Sequence, residues 1–129
     1  MVEGNKKMRK SVCGENCPNY QYIDEKIFKL VVKEDSEILS DMFRLFSDST
    51  RMKIICSILN KELRVTDICE ELDMNRTTVS HQLKTLRESK LVKYRKSGTE
   101  VYYSLKDAHI EQIIIQAMDH LKEEGIRGL

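Results

Sequence analysis

The chain has 129 residues, of which 40% are hydrophobic and 33% are charged, and its formal net charge at pH 7 is +1. This length fits one domain, and this balance supplies both a core and a soluble surface, which excludes a fully disordered chain. No apolar run approaches the roughly 20 residues that cross a bilayer, and residues 1–19 lack the apolar stretch of a signal peptide. We therefore expect a cytoplasmic protein that makes no membrane contact and whose four cysteines are reduced thiols.

The first third of the chain predicts an arm followed by two helices. Residues 1–19 are polar and contain Cys13, Cys17 and the only proline, which indicates a mobile arm. Asp35 is the expected N-cap of the second helix. The apolar residues at helical spacing are Ile23, Ile27, Leu30 and Val31 in the first helix and Ile38, Met42 and Leu45 in the second.

A short helix, a tight turn and a longer helix follow. The third helix, marked by Met52, Ile55, Ile58 and Leu59, breaks near residues 60–61, and Thr66 is the expected cap of a short fourth helix. Residues 73–74 make the turn. The fifth helix begins at the cap Asn75, extends over residues 75–89 and buries Val79, Leu83 and Leu86. Cys56 and Cys69 lie at apolar helical positions and are interpreted as small core residues.

Beyond residue 90 the apolar period changes from helical to two. Val92 and Tyr94 alternate with basic residues, Gly98 supplies a turn, and residues 101–103 resume a β-branched and aromatic strand, which predicts a hairpin. A last helix begins near Asp107 with a broad apolar face. That face consists of Ile110, Ile113, Ile114, Ala117, Met118 and Leu121. The predicted fold class is mostly α with a small β-hairpin.

Positive charge is concentrated on the longer helix and the hairpin. Residues 74–98 carry seven Lys and Arg side chains against Glu88 alone, which is typical of a surface that binds nucleic acid. A helix-turn-helix followed by a hairpin is a winged helix, whose second helix enters the major groove and whose wing meets phosphates. The alternative is a helical bundle with a solvated basic face. The predicted DNA-binding residues are Arg76, Thr77, Thr78, Ser80, His81, Gln82, Lys84, Arg87, Lys93, Arg95, Lys96 and Ser97.

Four runs of residues resemble a known family in order and spacing. They are residues 45–51 (LFSDSTR), 79–86 (VSHQLKTL), 91–93 (LVK) and 101–105 (VYYSL). Over about residues 36–123 the chain resembles the ArsR/SmtB family of metal-responsive repressors. The resemblance implies a winged-helix homodimer, joined through its first and last helices, that binds an inverted-repeat operator when metal-free and leaves it on binding its inducer. Residues 20–124 would then form the DNA-binding and dimerisation domain, with residues 125–129 as a polar tail.

Within this resemblance, the last helix matches the spacing of the family's zinc site at Asp107, His109, His120 and Glu123. His109 and His120 are three helical turns, or roughly 16 Å, apart, too far for one zinc ion to bridge. The site would therefore form between antiparallel copies of this helix in a dimer. Two imidazoles and two carboxylates suit Zn²⁺, with Co²⁺ as a common substitute. The alternative is that all four are ordinary polar residues of an exposed face.

A second candidate site comes from the arm. In some family members arm cysteines join a Cys-Val-Cys pair, but here Arg64 and Thr66 replace both thiols, and only Asp67 remains where a carboxylate ligand occurs. We keep Cys13, Cys17 and Asp67 as a possible metal or thiol site. Alternatively, the inducer is arsenite, another thiophilic metal or an oxidant, and it reacts with or binds to these two thiols.

Catalysis is not expected. The chain has no His-Glu-x-x-His run, no Gly-rich phosphate loop and no Gly-x-Ser-x-Gly elbow, so we predict neither an enzyme nor a small-molecule substrate. The resemblance instead implies signalling, with a hydrogen bond from the second ring nitrogen of His120 toward the backbone near His81. Double-stranded operator DNA is the expected partner.

Overall fold

A computed structural model describes residues 8–9, 23–24, 29 and 35–126, and the chain divides into two units, Met1–Arg44 and Leu45–Leu129. Among the described residues, no helix has both the length and the apolar character that a membrane crossing requires. The elements in chain order are β1 (Met8–Arg9), β2 (Ile23–Asp24), α1 (Ser36–Phe46), α2 (Ser49–Ser57), α3 (Val65–Leu72), α4 (Arg76–Glu88), β3 (Val92–Ser97), β4 (Glu100–Leu105) and α5 (Ala108–Glu123).

The first unit contains a short antiparallel pair, in which β1 places Met8 opposite Asp24 of β2. The predicted helix is therefore wrong at Ile23, which is a β-branched residue that a strand accommodates readily. Lys29 is helical, whereas residues 27, 30 and 31 lie outside the described residues, as do Cys13 and Cys17. The predicted helix after Asp35 is confirmed, since the Leu39 N–H donates to the Asp35 carbonyl at 3.0 Å.

The second unit is built on the helix-turn-helix core. Asp48 caps α2 by accepting the Arg51 backbone N–H at 2.8 Å, and Asn75 caps α4 by accepting that of Thr78 at 2.8 Å. The predicted cap at Asn75 is thus confirmed. The fully buried side chains come from α2 and the turn after it, from α3 and from α4: Ile54, Ile55, Ile58, Ile68, Val79, Leu83 and Leu86.

Two predictions in this core are wrong. Thr66 is not a cap, because α3 begins two residues earlier than a cap at Thr66 requires: the Asp67 carboxylate accepts the backbone N–H of Arg64, which is the N-cap residue. Cys56 is exposed rather than in the core, although partial desolvation still raises the pKa of its thiol. The core positions of α2 are taken by Ile54 and Ile55, and Cys56 follows them around the helix onto the outer face.

The turn and the hairpin agree with the sequence. Asp73 ends α3 in the left-handed conformation, with φ +53°, which a short polar side chain tolerates. In the hairpin, Ser97 of β3 lies opposite Glu100 of β4, so residues 98 and 99 form a two-residue turn in which Gly98 has φ +63°. Leu63 pairs through its backbone with Tyr103, at 3.0 and 2.8 Å, so β4 lies between β3 and residue 63.

The last helix packs only part of its apolar face within the chain. The last helix begins where the sequence predicted, with Asp107 as its N-cap, and Ile110 and Ile114 are buried. Further along the helix, Met118 is 45% exposed and Ile115 is 38% exposed. The first half of α5 therefore closes the core of this unit, and the second half leaves apolar surface uncovered.

Leu83 offers a test of the core, because it is fully buried on α4. We expect Leu83→Ala to lower the free energy of unfolding by about 2–5 kcal/mol, since it removes buried methyl groups and leaves a cavity. Urea denaturation at fixed protein concentration measures this change. The control Glu88→Ala, on the exposed face of the same helix, should stay within about 0.5 kcal/mol of wild type. Equal stability of the two variants would contradict this packing.

Candidate nucleic-acid interface and metal site

The outer face of α4 carries most of the side chains that the sequence predicts to bind DNA. Burial of Val79, Leu83 and Leu86 fixes the rotation of the helix, because these residues form its inner stripe. Thr78 and Gln82 are half-buried at the border of that stripe. The fully exposed residues of the predicted set on this helix are Arg76, Thr77, Ser80, His81, Lys84 and Arg87.

Gln82 is held from the neighbouring helix. Its side-chain oxygen accepts a hydrogen bond from Arg51 Nε at 3.0 Å, and Arg51 also donates to the Leu45 carbonyl at 3.5 Å. The amide oxygen of Gln82 is therefore engaged inside the protein, and its NH₂ group carries the remaining donors. Sequence reasoning missed Arg51 as a positioning residue, because its partner is 31 positions away.

The wing presents exposed basic residues, but one of them is anchored. Lys93, Arg95, Lys96 and Ser97 are all exposed on β3. Arg95 Nε, however, donates to both carboxylate oxygens of Glu62, at 3.0 and 2.9 Å, and its guanidinium lies 4.8 Å from the centre of the Tyr102 ring. The hydrogen bond from Arg95 holds the pKa of Glu62 below its usual value. Arg95 thus fixes the wing, which leaves Lys96 as the better candidate for phosphate contact.

Arg87 connects α4 to the wing. Its guanidinium lies 5.0 Å from the centre of the Tyr94 ring on β3, a distance at which a cation is attracted to the ring face. Tyr94 in turn lies 6.0 Å, centre to centre, from Tyr103 on β4. The aromatic side chains therefore orient α4 and the hairpin relative to each other.

Asp67, proposed from the sequence as part of a second metal site, is engaged by Arg64. Its carboxylate accepts the Arg64 backbone N–H at 3.0 Å, Nε at 3.0 Å and a terminal guanidinium nitrogen at 2.8 Å. These hydrogen bonds, the side-chain ones first, lower the pKa of Asp67 to about 2. Arg64 also lies 3.6 Å from Glu100 of the wing. A metal at Asp67 would have to displace Arg64.

The four residues of the candidate zinc site occupy the two ends of α5. Asp107 Oδ1 accepts the backbone N–H groups of His109 and Ile110, at 3.0 and 3.3 Å, and lies 3.4 Å from His109 Nδ1. Desolvation opposes the ionised form of Asp107, but the hydrogen bonds from Ile110 and His109 outweigh it and lower its pKa. The His109 side chain is 91% exposed.

At the other end of α5, His120 and Glu123 are also exposed. Because 11 helical residues turn through almost whole revolutions, His109 and His120 point within about 20° of the same direction. Within residues 35–126 of one chain, no three His, Cys, Asp or Glu side chains come together as a metal-binding group. The donors are therefore accessible imidazoles and carboxylates, of the kinds that bind Zn²⁺, but one chain does not assemble them.

Comparison with known proteins places the helix-turn-helix in a described family. Residues 48–94, from the cap of α2 into β3, match the family "Bacterial regulatory protein, arsR family". The chain is similar to the transcriptional repressor SmtB homolog of Synechocystis sp., with 34% identity over 90 residues that cover 70% of this chain and 68% of that protein.

Two further similarities extend over more of the chain. The cadmium resistance transcriptional regulatory protein CadC homolog of Staphylococcus aureus is 36% identical over 101 residues, which cover 78% of this chain and 84% of that protein. The solution structure of apo-NmtR matches with a TM-score of 0.64 and 28% identity, covering 88% of this chain and 87% of that one. The predicted winged helix-turn-helix is thereby confirmed.

The ion pair of Asp67 predicts a specific acid dependence of stability. Because the pKa of Asp67 is about 2 in the folded protein against an ordinary 3.8, its contribution is complete above the ordinary value and is lost as the pH falls toward 2. We expect the difference in unfolding free energy between wild type and Asp67→Asn to shrink between pH 5 and 3, measured by urea denaturation. Glu70→Gln controls for the loss of a charge from α3. A constant difference for Asp67→Asn would contradict the ion pair.

Proposed function

The chain belongs to the ArsR family of bacterial regulatory proteins, which are DNA-binding regulators and not enzymes, and we propose that it is a metal-responsive transcriptional repressor. In this proposal a homodimer occupies an inverted-repeat operator when metal-free, and Zn²⁺ or Co²⁺ bound by α5 at the dimer interface releases it. The observation that carries the proposal is that α5 presents the exposed side chains of His109 and His120 within about 20° of one direction.

The DNA-binding part of the proposal rests on α4 and the wing. The exposed Ser, Thr, His, Lys and Arg side chains of α4 can donate to or accept from base edges in the major groove. Lys93 and Lys96 on β3 would contact phosphates beside the site, which positions the protein without reading sequence. Arg87 and Arg95 serve mainly to hold the wing against the rest of the unit.

The dimer part rests on uncovered apolar side chains. Ile115 and Met118 of α5 are exposed, and so, on α1, are Ile38 (68%) and Leu39 (41%). Exposed large apolar side chains on a helix are candidates for burial against a partner, and each of the two helices offers a pair of them. A second copy of α5 brought against the histidine side of the first would place the acidic and imidazole groups of two chains near each other.

The metal part rests on the donors of α5. Asp107, His109, His120 and Glu123 would hold the ion, and a bound divalent cation supplies positive charge and fixed ligand distances across the interface. We also keep the hydrogen bond from His120 toward the backbone near His81 in the proposal. For release, the ion must bind the DNA-free conformation more tightly than the operator-bound one. By reciprocity, operator DNA then weakens metal binding by the factor by which the metal weakens operator binding, typically about 5–150-fold.

A thiophilic inducer is the second candidate. The similarity to a cadmium resistance regulator favours it, and Cys13 and Cys17 are four residues apart, outside the described residues. Against it, the Asp67 carboxylate is already engaged by Arg64. If operator release by Cd²⁺ or arsenite were lost in Cys13→Ser with Cys17→Ser, while zinc had no effect on wild type, this candidate would replace the zinc proposal.

The wing gives the first test of DNA binding. Lys96 is exposed and makes no ion pair with any residue in the described part of the chain, so Lys96→Ala should weaken operator binding and reduce the slope of log affinity against log salt by about 1. Fluorescence anisotropy over a salt series measures both. Lys122→Ala, which removes an exposed charge from the end of α5, is the matched control. An unchanged slope for Lys96→Ala would contradict a phosphate contact.

His120 tests the metal site. We expect His120→Ala to keep metal-free operator affinity but to weaken zinc binding by at least about tenfold, because one of four ligands is lost, and to abolish zinc-driven operator release. Equilibrium competition against a chelator and anisotropy with and without zinc measure these effects. Asp119→Ala, its exposed neighbour, is the control. Zinc affinity and release equal to wild type in His120→Ala would rule out this site.

A further inference from the structure

Four consecutive residues between α2 and α3, here called the linking segment (residues 60–63), contact four different elements of the second unit. Each contact is a hydrogen bond or an ion pair between residues that are at least 10 positions apart in the sequence. In chain order they join Asn60 to Glu111 of α5, Lys61 to Glu71 of α3, Glu62 to Arg95 of β3 and Leu63 to Tyr103 of β4. The segment is therefore the place where the last helix and the wing meet the same short stretch of backbone.

The contact with α5 depends on an unusual backbone conformation. Asn60 has φ +59°, in the left-handed region that Asn tolerates better than most residues, and its backbone N–H donates to Glu111 Oε1 at 3.2 Å. Its neighbours bond elsewhere, since the Lys61 N–H donates to the Ile58 carbonyl at 3.3 Å. The Glu111 carboxylate is thus the group of α5 that holds the start of the linking segment.

Glu111 also lies one helical turn from the cap of α5. Asp107 and Glu111 are four residues apart, so they share a side of the helix. Both line an open cleft of about 410 Å³, together with Glu62 and Lys93. Asp107 Oδ1 already accepts the N–H groups of His109 and Ile110, so a ligand that reorients this carboxylate acts directly on the cap.

We propose that Glu111 is a positioning residue that couples the first turn of α5 to the wing through the linking segment. A ligand held at Asp107 alters the first turn, and Glu111 carries the change to Asn60. The ion pair of Glu62 and the backbone pairing of Leu63 then carry it to β3 and β4. The inference rests on the proposed function for the nature of the ligand, but the link itself is a property of the metal-free chain.

The coupling is tested with Glu111→Ala, which removes the acceptor for the Asn60 N–H. The measured quantity is the ratio of operator Kd values with and without zinc. We expect this ratio to fall by about 2–30-fold relative to wild type, while zinc affinity of the DNA-free protein and metal-free operator affinity stay near wild type. Glu111→Gln keeps an acceptor oxygen and should restore the ratio. Gln112→Ala, the exposed next residue, is the control.

A second readout needs no metal. If Glu111 holds the linking segment, amide hydrogen exchange at Leu63 and Tyr103, whose N–H groups pair with each other's carbonyls, should be faster by about threefold or more in metal-free Glu111→Ala. Glu111→Gln and Gln112→Ala should exchange like wild type. In the double variant Glu62→Gln with Glu111→Ala, the ratio of operator Kd values with and without zinc should fall by less than the sum of the two separate effects in free energy. The reason is that both residues act through the linking segment.

The outcomes separate this inference from the proposed function. Full zinc-driven release by Glu111→Ala, or unchanged exchange at Leu63 and Tyr103, would overturn the inference and leave the proposed function standing. Suppose instead that the wild-type protein stayed bound to its operator in the presence of zinc, while amide hydrogen exchange at Leu63 and Tyr103 was faster in Glu111→Ala. The zinc proposal would then be wrong, and the link between α5 and the wing would stand.

Discussion

The backbone pairing of Leu63 with Tyr103 is the interaction on which the arrangement of the second unit depends. A two-stranded hairpin is marginally stable in water by itself, so β3 and β4 need a further partner to project in a defined direction. Leu63 supplies it immediately before α3, at the start of the helix-turn-helix. The direction of the wing and the orientation of the DNA-reading helix are thereby set by one short stretch of chain, and the ion pair between Glu62 and Arg95 fixes it from the side chains.

The sequence predicted long periodic elements well and single side-chain roles less well. The helix α4, its cap Asn75 and its buried stripe agree with the structure because period, cap and charge all indicate the same element. Thr66 failed as a cap because it lies inside the first turn of α3, whose N-cap residue Arg64 is held by Asp67. Cys56 failed as a core residue because the inner side of α2 is taken by Ile54 and Ile55, which turns Cys56 to the outer side. The pairing of Glu62 with Arg95 spans 33 positions and has no local pattern, so only the fold shows it.

Charge is used in two ways on the basic half of the molecule. The chain is nearly neutral, but its positive side chains are gathered on α4 and β3, which produces a local field that a net charge of +1 conceals. Part of that charge is paired within the chain, since Arg95 of β3 pairs with Glu62, and Arg64 before α3 pairs likewise with Asp67. Exposed ion pairs contribute little stability, so their main effect is to fix geometry. A wing held in place loses less conformational entropy on binding a partner than a mobile one, and this favours a division between arginines that anchor the wing and lysines that we propose contact phosphate.

The two ends of α5 differ in a way that suits a sensor. At its start, Asp107 and Glu111 make contacts that hold the first turn and the linking segment, whereas at its end His120 and Glu123 face solvent. A ligand bound only at the end of α5 would make no direct contact with the cap or the linking segment. A ligand that also uses Asp107 acts on a carboxylate whose Oδ1 caps the helix, so its binding can shift the first turn of α5. The dual role of Asp107, as a cap of the helix and a proposed metal ligand, is therefore what makes the start of α5 the sensitive end.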